Sequence, residues 1–321
     1  MSALLEVRDL VKHFPVRGGV LNRVIGNVHA VNGVSLEVQR GEILGVVGES
    51  GCGKSTLGKC IIRLHDATEG QVLYEGEDIS DLSHAEMMPF RRKMQIIFQD
   101  PYSSLNPRMT VKALLTEVIK FHGLAEGAAL DDRIRGLIEK VGLRADSAEK
   151  FPHEFSGGQR QRIGIARALA LEPEFIVADE PVSALDVSIQ AQVLNLLMDL
   201  KDELGLTLLF VSHDLKVIEH FCDRVLVMYL GYVMEELRCE DLHASARHPY
   251  TRALLGANPI NDPDERRELT VLQGDVPSPY DPPKGCPFAG RCPLVTDRCR
   301  NEMPPVRTRE DGTRVACFEV D

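Results

Sequence analysis

The sequence predicts an α/β domain with a largely parallel sheet, followed by a small irregular C-terminal extension. From Leu4 to about Glu236, short apolar runs alternate with stretches of helical periodicity, which is typical of strands joined by crossover helices. Beyond about residue 245, prolines are frequent and little regular periodicity remains. We therefore predict two domains, at 1–245 and 246–321, and expect the second to need a cross-link because its core is small.

The elements of the larger domain follow from these runs. Five apolar stretches bounded by turn residues predict strands, at Ile43–Val47, Gln95–Phe98, Phe175–Ala178, Thr207–Val211 and Val225–Met228. Four stretches with helical periodicity predict helices, at Ser55–Leu64, Asp131–Val141, Gly158–Leu171 and Ser188–Leu204. Between residues 100 and 150 the pattern is mostly helical, so we predict a helical subdomain at about 100–170, inserted into the α/β domain.

Composition and charge narrow the class of protein. The 321 residues are 44% apolar and 26% charged, which is ordinary for a globular protein. A net charge of −11 disfavours a dedicated nucleic-acid binder. No basic segment followed by an apolar one begins the chain, and no apolar run approaches the roughly 20 residues of a membrane span. We expect a cytosolic chain that reaches a membrane only through a protein partner.

A glycine-rich segment lies between the first of these strands and the first of these helices. Residues 48–55, GESGCGKS, match the pattern G-x-x-x-x-G-K-[ST], in which backbone N–H groups and a helix N-terminus surround phosphate oxygens. Lys54 would reach the β- and γ-phosphates, and the Ser55 hydroxyl would bind Mg²⁺. The residues predicted to contact a nucleotide here are Gly48, Glu49, Ser50, Gly51, Cys52, Gly53, Lys54, Ser55 and Thr56.

Two adjacent carboxylates follow the apolar run at residues 175–178. Asp179 at a strand end can hold the Mg²⁺ shell, and Glu180 beside it can accept a proton from an attacking water. By itself, such a pair is a solvated acidic strand end about as often as it is a catalytic or metal-binding site. Together with the phosphate-binding loop, it predicts hydrolysis of a nucleoside triphosphate.

A second candidate anion site begins another predicted helix. Ser156, Gly157, Gly158 and Gln159 would leave backbone N–H groups open at the helix start. The segment has no lysine, so it is not a second complete nucleotide site. It is either an ordinary Ser-Gly helix cap or a cover for the γ-phosphate of a nucleotide held by another subunit.

The order of these motifs resembles that of the ABC ATPase cassette, a member of the P-loop NTPases. The motifs are the loop at 48–55, Gln99 in IFQDP, the signature SGGQ at 156–159, the pair Asp179-Glu180, SALD at 183–186 and SHD at 212–214. The resemblance implies ATP and Mg²⁺ as cofactors, with Ser55, Gln99 and Asp179 toward the metal ion. It further implies that Phe14 stacks on adenine, that Asp186 lies at a dimer seam and that His213 contacts the γ-phosphate. Residues 15–29 look inserted after Phe14.

Four of the eight cysteines lie close together near the C-terminus. Cys286, Cys292, Cys299 and Cys317 could hold zinc or an iron–sulfur cluster, and either would supply the cross-link that this segment needs. The spacing lacks the short C-x2–4-C pairs usual for structural zinc. Four unligated thiols remain the alternative.

The extension also resembles the C-terminal region of oligopeptide and dipeptide importer cassettes. The resemblance is carried by HPYTRAL at 248–254, GDVPSP at 274–279, GCPFAGRCP at 285–293 and QDPYSSLNPR at 99–108. It implies a [4Fe–4S] cluster on the four cysteines. It also implies a place on the cytoplasmic face of the inner membrane, with a second and paralogous cassette, two transmembrane permease subunits and an external solute-binding protein as partners.

Three alternatives to a peptide importer stay open. The cargo could be nickel or another solute, because specificity lies in other subunits. A soluble ABC protein acting on nucleic acid or ribosomes is disfavoured by the single cassette, the absence of a heptad run and the acidic charge. A catalytically inactive cassette is disfavoured because all of the chemical groups are present.

Cys52 is a separate candidate inside the phosphate-binding loop. A helix N-terminus can lower the pKa of a nearby thiol, so we expect either a reactive thiol whose alkylation blocks ATP or an inert small side chain.

Overall fold

The computed structural model describes residues 3–18, 22–257 and 274–320 and has the predicted α/β fold. These residues divide into two compact units. The first unit comprises the described residues within 1–39, 43–80 and 212–321, and the second comprises 40–42 and 81–211. In the described part of the chain, no helix combines the length and the apolar character that a membrane crossing requires.

The secondary structure alternates as expected. The described strands are β1 (Ala3–Gly18), β2 (Arg23–Gln39), β3 (Ile43–Val47), β4 (Glu69–Tyr74), β5 (Glu77–Asp78), β6 (Met94–Ile97), β7 (Phe175–Asp179), β8 (Thr207–Ser212), β9 (Arg224–Tyr229), β10 (Tyr232–Arg238), β11 (Arg307–Thr308) and β12 (Arg314–Val315). The α-helices are α1 (Lys54–Ile61), α2 (Met88–Lys93), α3 (Pro101–Ser104), α4 (Val111–Phe121), α5 (Gly127–Lys140), α6 (Gly157–Leu169), α7 (Val187–Leu204), α8 (Leu215–Phe221), α9 (Leu242–Ser245), α10 (Pro249–Ala257) and α11 (Asp297–Asn301). Short 3-10 helices cover Ala145–Glu149, Pro152–Glu154 and Cys239–Asp241.

In the first unit, β3 is the strand that positions the phosphate-binding loop. All five of its residues are buried, as expected for a parallel strand covered on both faces. It pairs in parallel with β9, with Leu44 opposite Arg224 and Val47 opposite Val227. β9 pairs with β10 in the antiparallel direction, and β10 pairs likewise with β12. The loop therefore leaves the carboxyl end of a rigid strand.

The long hairpin β1–β2 contains the segment that looked inserted. Its strands pair in the antiparallel direction through several register shifts, with Phe14 opposite Val28 and Gly18 opposite Arg23. The described residues of that segment, at 15–18 and 23–29, thus extend these two strands. The extension contacts β2, because the Tyr280 hydroxyl donates to the Ile25 carbonyl at 3.0 Å.

In the second unit, three parallel strands lie in the order β8-β7-β6. Phe175 of β7 is opposite Met94 on one side and Thr207 on the other. Between β6 and β7 the regular elements are helices, α3 to α6 and two 3-10 helices, which agrees with the predicted helical insertion. The five predicted strands and four predicted helices are all confirmed, with ends that differ by a few residues.

The extension carries more regular structure than its composition suggested. Helix α10 and the small strands β11 and β12 form within it, and β12 pairs with β10 so that Val315 is opposite Glu235. Phe288 and Tyr250 are 0% exposed. The described residues of the extension belong to the same compact unit as the phosphate-binding loop, and the domain boundary at 245 stays a prediction.

Candidate active site

The phosphate-binding loop joins β3 to α1 and depends on glycine at close approaches. Gly53 precedes α1 with φ 101°, and a Cβ there would lie 2.1 Å from the Ala30 carbonyl oxygen. A Cβ at Gly48 would lie 2.2 Å from the Met228 carbonyl oxygen. No side chain caps α1 at Gly53, so its N-terminal turn has the character of an anion site.

Lys54 folds back over this loop. Its side chain is buried, and Nζ donates to the Gly48 carbonyl at 2.7 Å and to the Glu49 carbonyl at 3.1 Å. The ammonium group therefore lies within the curve of the loop and adds a positive charge to the anion site. The role predicted for Lys54, contact with the β- and γ-phosphates, stays a prediction.

Cys52 differs from the reactive thiol proposed from its position. It is 2% exposed, and burial raises its pKa, although the Lys54 ammonium 3.9 Å from Sγ acts in the opposite direction. Desolvation disfavours the thiolate more than the nearby positive charge favours it. Of the two alternatives predicted for Cys52, the inert side chain therefore fits the geometry.

In the second unit, the structure brings Gln99 and Glu180 together. Gln99 Nε2 donates to Glu180 Oε2 at 2.9 Å and to Ser183 Oγ at 3.4 Å. Asp179 ends β7 and is 3% exposed. Glu180 has φ 46°, a left-handed conformation that costs a non-glycine residue about 1–3 kcal/mol, and its N–H donates to the Val211 carbonyl at 3.0 Å. Strain of this kind is concentrated at functional sites.

The signature segment caps α6. Ser156 Oγ accepts the Gln159 N–H at 3.4 Å, and the Gln159 side chain accepts the Ser156 N–H at 3.1 Å, which is a capping box. Gly158 is buried against α7, because a Cβ there would lie 2.4 Å from the Ile189 side chain. Ser156, Gly157 and Gln159 are exposed. The segment therefore presents a helix N-terminus to its surroundings.

Phe14, His213 and Asp186 are three other residues that the sequence predicts to belong to the site. Phe14 is half-buried on β1, its ring 5.6 Å from that of His65 and 4.8 Å from Lys12 Nζ. His213 follows β8 and is exposed, and Asp186 is exposed directly before α7. Phe14 and His213 belong to the first unit and Asp186 to the second. Their roles stay predictions.

The four C-terminal thiols are neighbours, but the predicted metal site is not supported. Burial raises the pKa of Cys286 to about 11, and the neighbouring thiols of Cys292, Cys299 and Cys317 contribute in the same direction. Across residues 3–18, 22–257 and 274–320, no group of three or more His, Cys, Asp or Glu side chains is arranged to hold a metal ion. Cys299 Sγ and Thr296 Oγ1 lie within hydrogen-bond distance, at 3.2 Å.

Tyr250 and Arg291, for which no contact was predicted from the sequence, both contact the phosphate-binding loop. The Glu49 N–H donates to the Tyr250 hydroxyl at 2.9 Å. Both oxygens of the Glu49 carboxylate accept from the guanidinium of Arg291, at 2.7 and 3.0 Å. Tyr250 lies in the motif HPYTRAL and Arg291 in the motif GCPFAGRCP. The sequence therefore marks both segments, but nothing in the motifs indicates what these residues contact.

Comparison with known proteins decides the family. Residues 31–183 match the family described as ABC transporter, and residues 234–299 match the one described as oligopeptide/dipeptide transporter, C-terminal region. The chain is 53% identical to a putative peptide import ATP-binding protein of Brucella ovis, over 99% of this chain and 98% of the relative. The chain belongs to the ATP-binding proteins of ABC transporters. As in that family, it is an ATPase coupled to transport, for which ATP with Mg²⁺ is expected.

This ABC protein is also similar to ATP-binding proteins of other peptide transporters and to a solved ABC cassette. It is 50% identical to the oligopeptide transport ATP-binding protein AppF of Bacillus subtilis, over 98% of this chain and 97% of that protein. It is 47% identical to the dipeptide transport ATP-binding protein DppF of Haemophilus influenzae, over 100% and 98%. Among solved structures, the dimeric bacterial ABC transporter cassette MJ0796 has a TM-score of 0.65 and 30% identity, over 74% of this chain and 99% of that one. The family implies permease partners and a dimeric cassette.

Proposed function

We propose that this chain binds and hydrolyses ATP to power the import of di- or oligopeptides across the cytoplasmic membrane. The observation that carries the proposal is the match of residues 234–299 to the C-terminal region of oligopeptide/dipeptide transporters, beside the ABC transporter match at 31–183. The chain works on the cytoplasmic face of the membrane, bound to two permease subunits that receive peptide from an external solute-binding protein.

The first step is the binding of ATP by the phosphate-binding loop. The N-terminal turn of α1 and the Lys54 ammonium hold the triphosphate, because both carry positive charge at the curve of the loop. Phe14 stacks on the adenine. Ser55, Asp179 and Gln99 are the residues that would hold Mg²⁺, which would neutralise charge on the β- and γ-phosphates.

The second step is attack by water on the γ-phosphorus. A P–O bond to the water oxygen forms, the bond to the bridging oxygen of ADP breaks, and a proton of the water passes to the Glu180 carboxylate. The hydrogen bond from Gln99 Nε2 to Glu180 Oε2, at 2.9 Å, orients that carboxylate. His213 contacts the γ-phosphate.

The exposed signature segment supports a dimeric mechanism. Ser156, Gly157 and Gln159 are exposed at the N-terminus of α6, where they can contact the γ-phosphate of an ATP held by a second, paralogous cassette, with Asp186 at the seam. ATP then links the two cassettes, and its hydrolysis releases them. Because binding favours the closed dimer, the cycle can drive the permease.

The proposal is tested by isolating the complex from native membranes through a tag on this chain. We expect two permeases and a second cassette to co-purify, and peptide with its binding protein to stimulate ATP turnover in vesicles. Stimulation by nickel in place of peptide would reject the peptide cargo. Co-purification with ribosomes or nucleic acid, without permeases, would reject transport.

The four C-terminal thiols carry a finer part of the proposal, a [4Fe–4S] cluster, with zinc as the alternative. Its support is the mutual proximity of Cys286, Cys292, Cys299 and Cys317 within one small segment. Anaerobic purification followed by metal analysis and visible absorbance tests it. Zinc, or no metal, with no visible absorbance would reject the cluster.

A further inference from the structure

The extension contacts the phosphate-binding loop through one charged residue of that loop. Arg291 Nη1 donates to Glu49 Oε2 at 2.7 Å and Nη2 donates to Glu49 Oε1 at 3.0 Å, which is a bidentate pair. The Arg291 side chain is 7% exposed and that of Glu49 is 25% exposed. Because the pair is shielded from solvent, its electrostatic interaction is stronger than that of a surface salt bridge.

The guanidinium is held by its surroundings as well as by Glu49. Nη1 also donates to the Tyr229 hydroxyl at 3.3 Å, and the guanidinium carbon lies 5.8 Å from the centre of the Tyr229 ring. The Arg291 N–H donates to the Phe288 carbonyl at 3.0 Å, which closes a turn of the extension. The hydrogen bond to Glu49 raises the pKa of Arg291, so the group stays charged.

A second contact fixes the backbone of the same loop residue. The Tyr250 hydroxyl accepts the Glu49 N–H at 2.9 Å, and the Tyr250 ring is 0% exposed against the rings of Tyr229 and Phe288, at 4.8 and 5.3 Å. The start of α10, which carries Tyr250, is fixed in turn by Glu235 of β10. Glu235 Oε1 accepts the N–H groups that precede the helix, at 2.7 and 3.1 Å. Both contacts are therefore parts of a packed core.

The charge of Glu49 creates a difficulty for ATP binding that these contacts remove. Glu49 is the second residue of the phosphate-binding loop, and its carbonyl accepts from Lys54 Nζ at 3.1 Å. An unpaired carboxylate at that position would repel a triphosphate. Arg291 occupies both carboxylate oxygens and neutralises their charge.

We propose that Arg291 is a positioning residue for ATP binding, which neutralises Glu49 and orients its side chain so that the loop accepts a triphosphate. Tyr250 fixes the Glu49 backbone in the same arrangement. Arg291 directly precedes Cys292, and the Cys286 N–H donates to the Cys299 carbonyl at 2.8 Å. ATP affinity therefore depends on a folded C-terminal extension. This inference rests on the proposed binding of ATP by the loop.

The test is a double-mutant cycle on the affinity of the full chain for a non-hydrolysed ATP analogue with Mg²⁺, measured by calorimetry. Arg291→Met should weaken binding at least about tenfold, because a carboxylate is exposed to the triphosphate. Adding Glu49→Gln should restore affinity to within about threefold of wild type, because the repelling charge is gone. The control Arg298→Met removes an arginine of the same extension that pairs with the exposed Glu302 and lies over the Phe318 ring at 3.9 Å. It should leave affinity unchanged, because methionine can keep the contact with the ring.

Restoration of ATP affinity by Glu49→Gln would show that Arg291 acts by neutralising charge. A purely structural effect of losing Arg291 would not be repaired by Glu49→Gln. If Arg291→Met does not fold, the comparison moves to the Glu49→Gln background, where removing Arg291 should cost less than threefold. Unchanged affinity in Arg291→Met, or a tenfold loss in the Glu49→Gln background, overturns the inference. Lys54→Ala tests the proposed function separately, because wild-type affinity in that variant would place ATP elsewhere.

Discussion

Among single residues, Glu180 combines a proposed chemical role with an unfavourable backbone conformation. Its φ of 46° places it in the left-handed region, and its carboxylate accepts from Gln99 Nε2. Glutamate gains nothing locally from such a conformation, so the surrounding structure must impose it. The hydrogen bond from the Glu180 N–H to the Val211 carbonyl connects this residue to β8. This is the arrangement expected of a group that must hold one orientation.

We predict that Glu180→Gln binds ATP with near wild-type affinity but hydrolyses it at least about a hundredfold more slowly, because the amide cannot accept the proton of water. The measurement is phosphate release by the assembled transporter. Glu172→Gln is the matched control, since Glu172 also has a positive φ, of 53°, and its exposed carboxylate forms ion pairs with Arg92 and Arg133. A wild-type rate in Glu180→Gln would remove this residue from the role of base.

Cys52 gives a second prediction at this scale, since its buried thiol has a raised pKa. In the native chain at neutral pH, N-ethylmaleimide should modify the half-buried Cys292 well before Cys52, because access limits the reaction. Mass spectrometry of digested samples follows both sites. In urea the two should react alike, which provides the control. Rapid modification of native Cys52, prevented by ATP, would contradict the prediction.

At the scale of elements, the N-terminus of α6 combines an observed helix cap with a proposed nucleotide contact, and the two can be separated by mutation. Ser156 closes the capping box of this helix, and the same hydroxyl is proposed to contact a nucleotide held by the second cassette. An alanine cannot cap, whereas glycine at the cap position costs a helix only a few tenths of a kcal/mol relative to serine.

Ser156→Ala should therefore lower the free energy of unfolding by about 1 kcal/mol, and Ser156→Gly by a few tenths of a kcal/mol. Both variants should lose ATP turnover to a similar extent, because both lack the hydroxyl. Chemical denaturation and the turnover of the assembled transporter measure the two effects. If turnover instead followed stability, with Ser156→Gly near wild type, the segment would be only a helix cap.

For the whole molecule, the buried residues between β10 and α10 link stability to pH. His248 is 1% exposed, and burial lowers its pKa from an ordinary value of 6.5 to about 3. Between these values the unfolded chain binds a proton that the folded chain does not, so stability falls as the pH is lowered. Burial raises the pKa of Glu235, whose oxygen accepts the His248 N–H, and that carboxyl acts in the opposite direction.

We predict that the free energy of unfolding of the wild type falls by up to about 1.4 kcal/mol per pH unit below pH 6.5 through His248. His248→Asn should remove this component, so that its stability depends less on pH between 6.5 and 4.5. Urea denaturation at several pH values gives the slopes. His220→Gln, at an exposed histidine, should keep the wild-type slope. Equal slopes in wild type and His248→Asn would contradict the prediction.

Much of the site could be predicted because its signals are local. The loop at 48–55 is bounded by a fully apolar strand and a periodic helix, and the strand at 175–179 ends at Asp179, directly before Glu180. Predicted helix and strand ends differ from the observed ones by a few residues because helix caps and pairing partners decide them. The sequence left two alternatives open for Cys52, since the helix N-terminus is visible in the sequence and the burial is not.

The sequence by itself determined the α/β class, the phosphate-binding loop, the signature segment and the adjacent carboxylates, because each of these depends on residues a few positions apart. Only the tertiary structure decided that Arg291 and Tyr250 act on Glu49, from 242 and 201 positions away in the chain. No periodicity or spacing marks a pairing of that length. It arises from the packing of the extension onto β9 and β10, which brings a guanidinium and a hydroxyl to the loop.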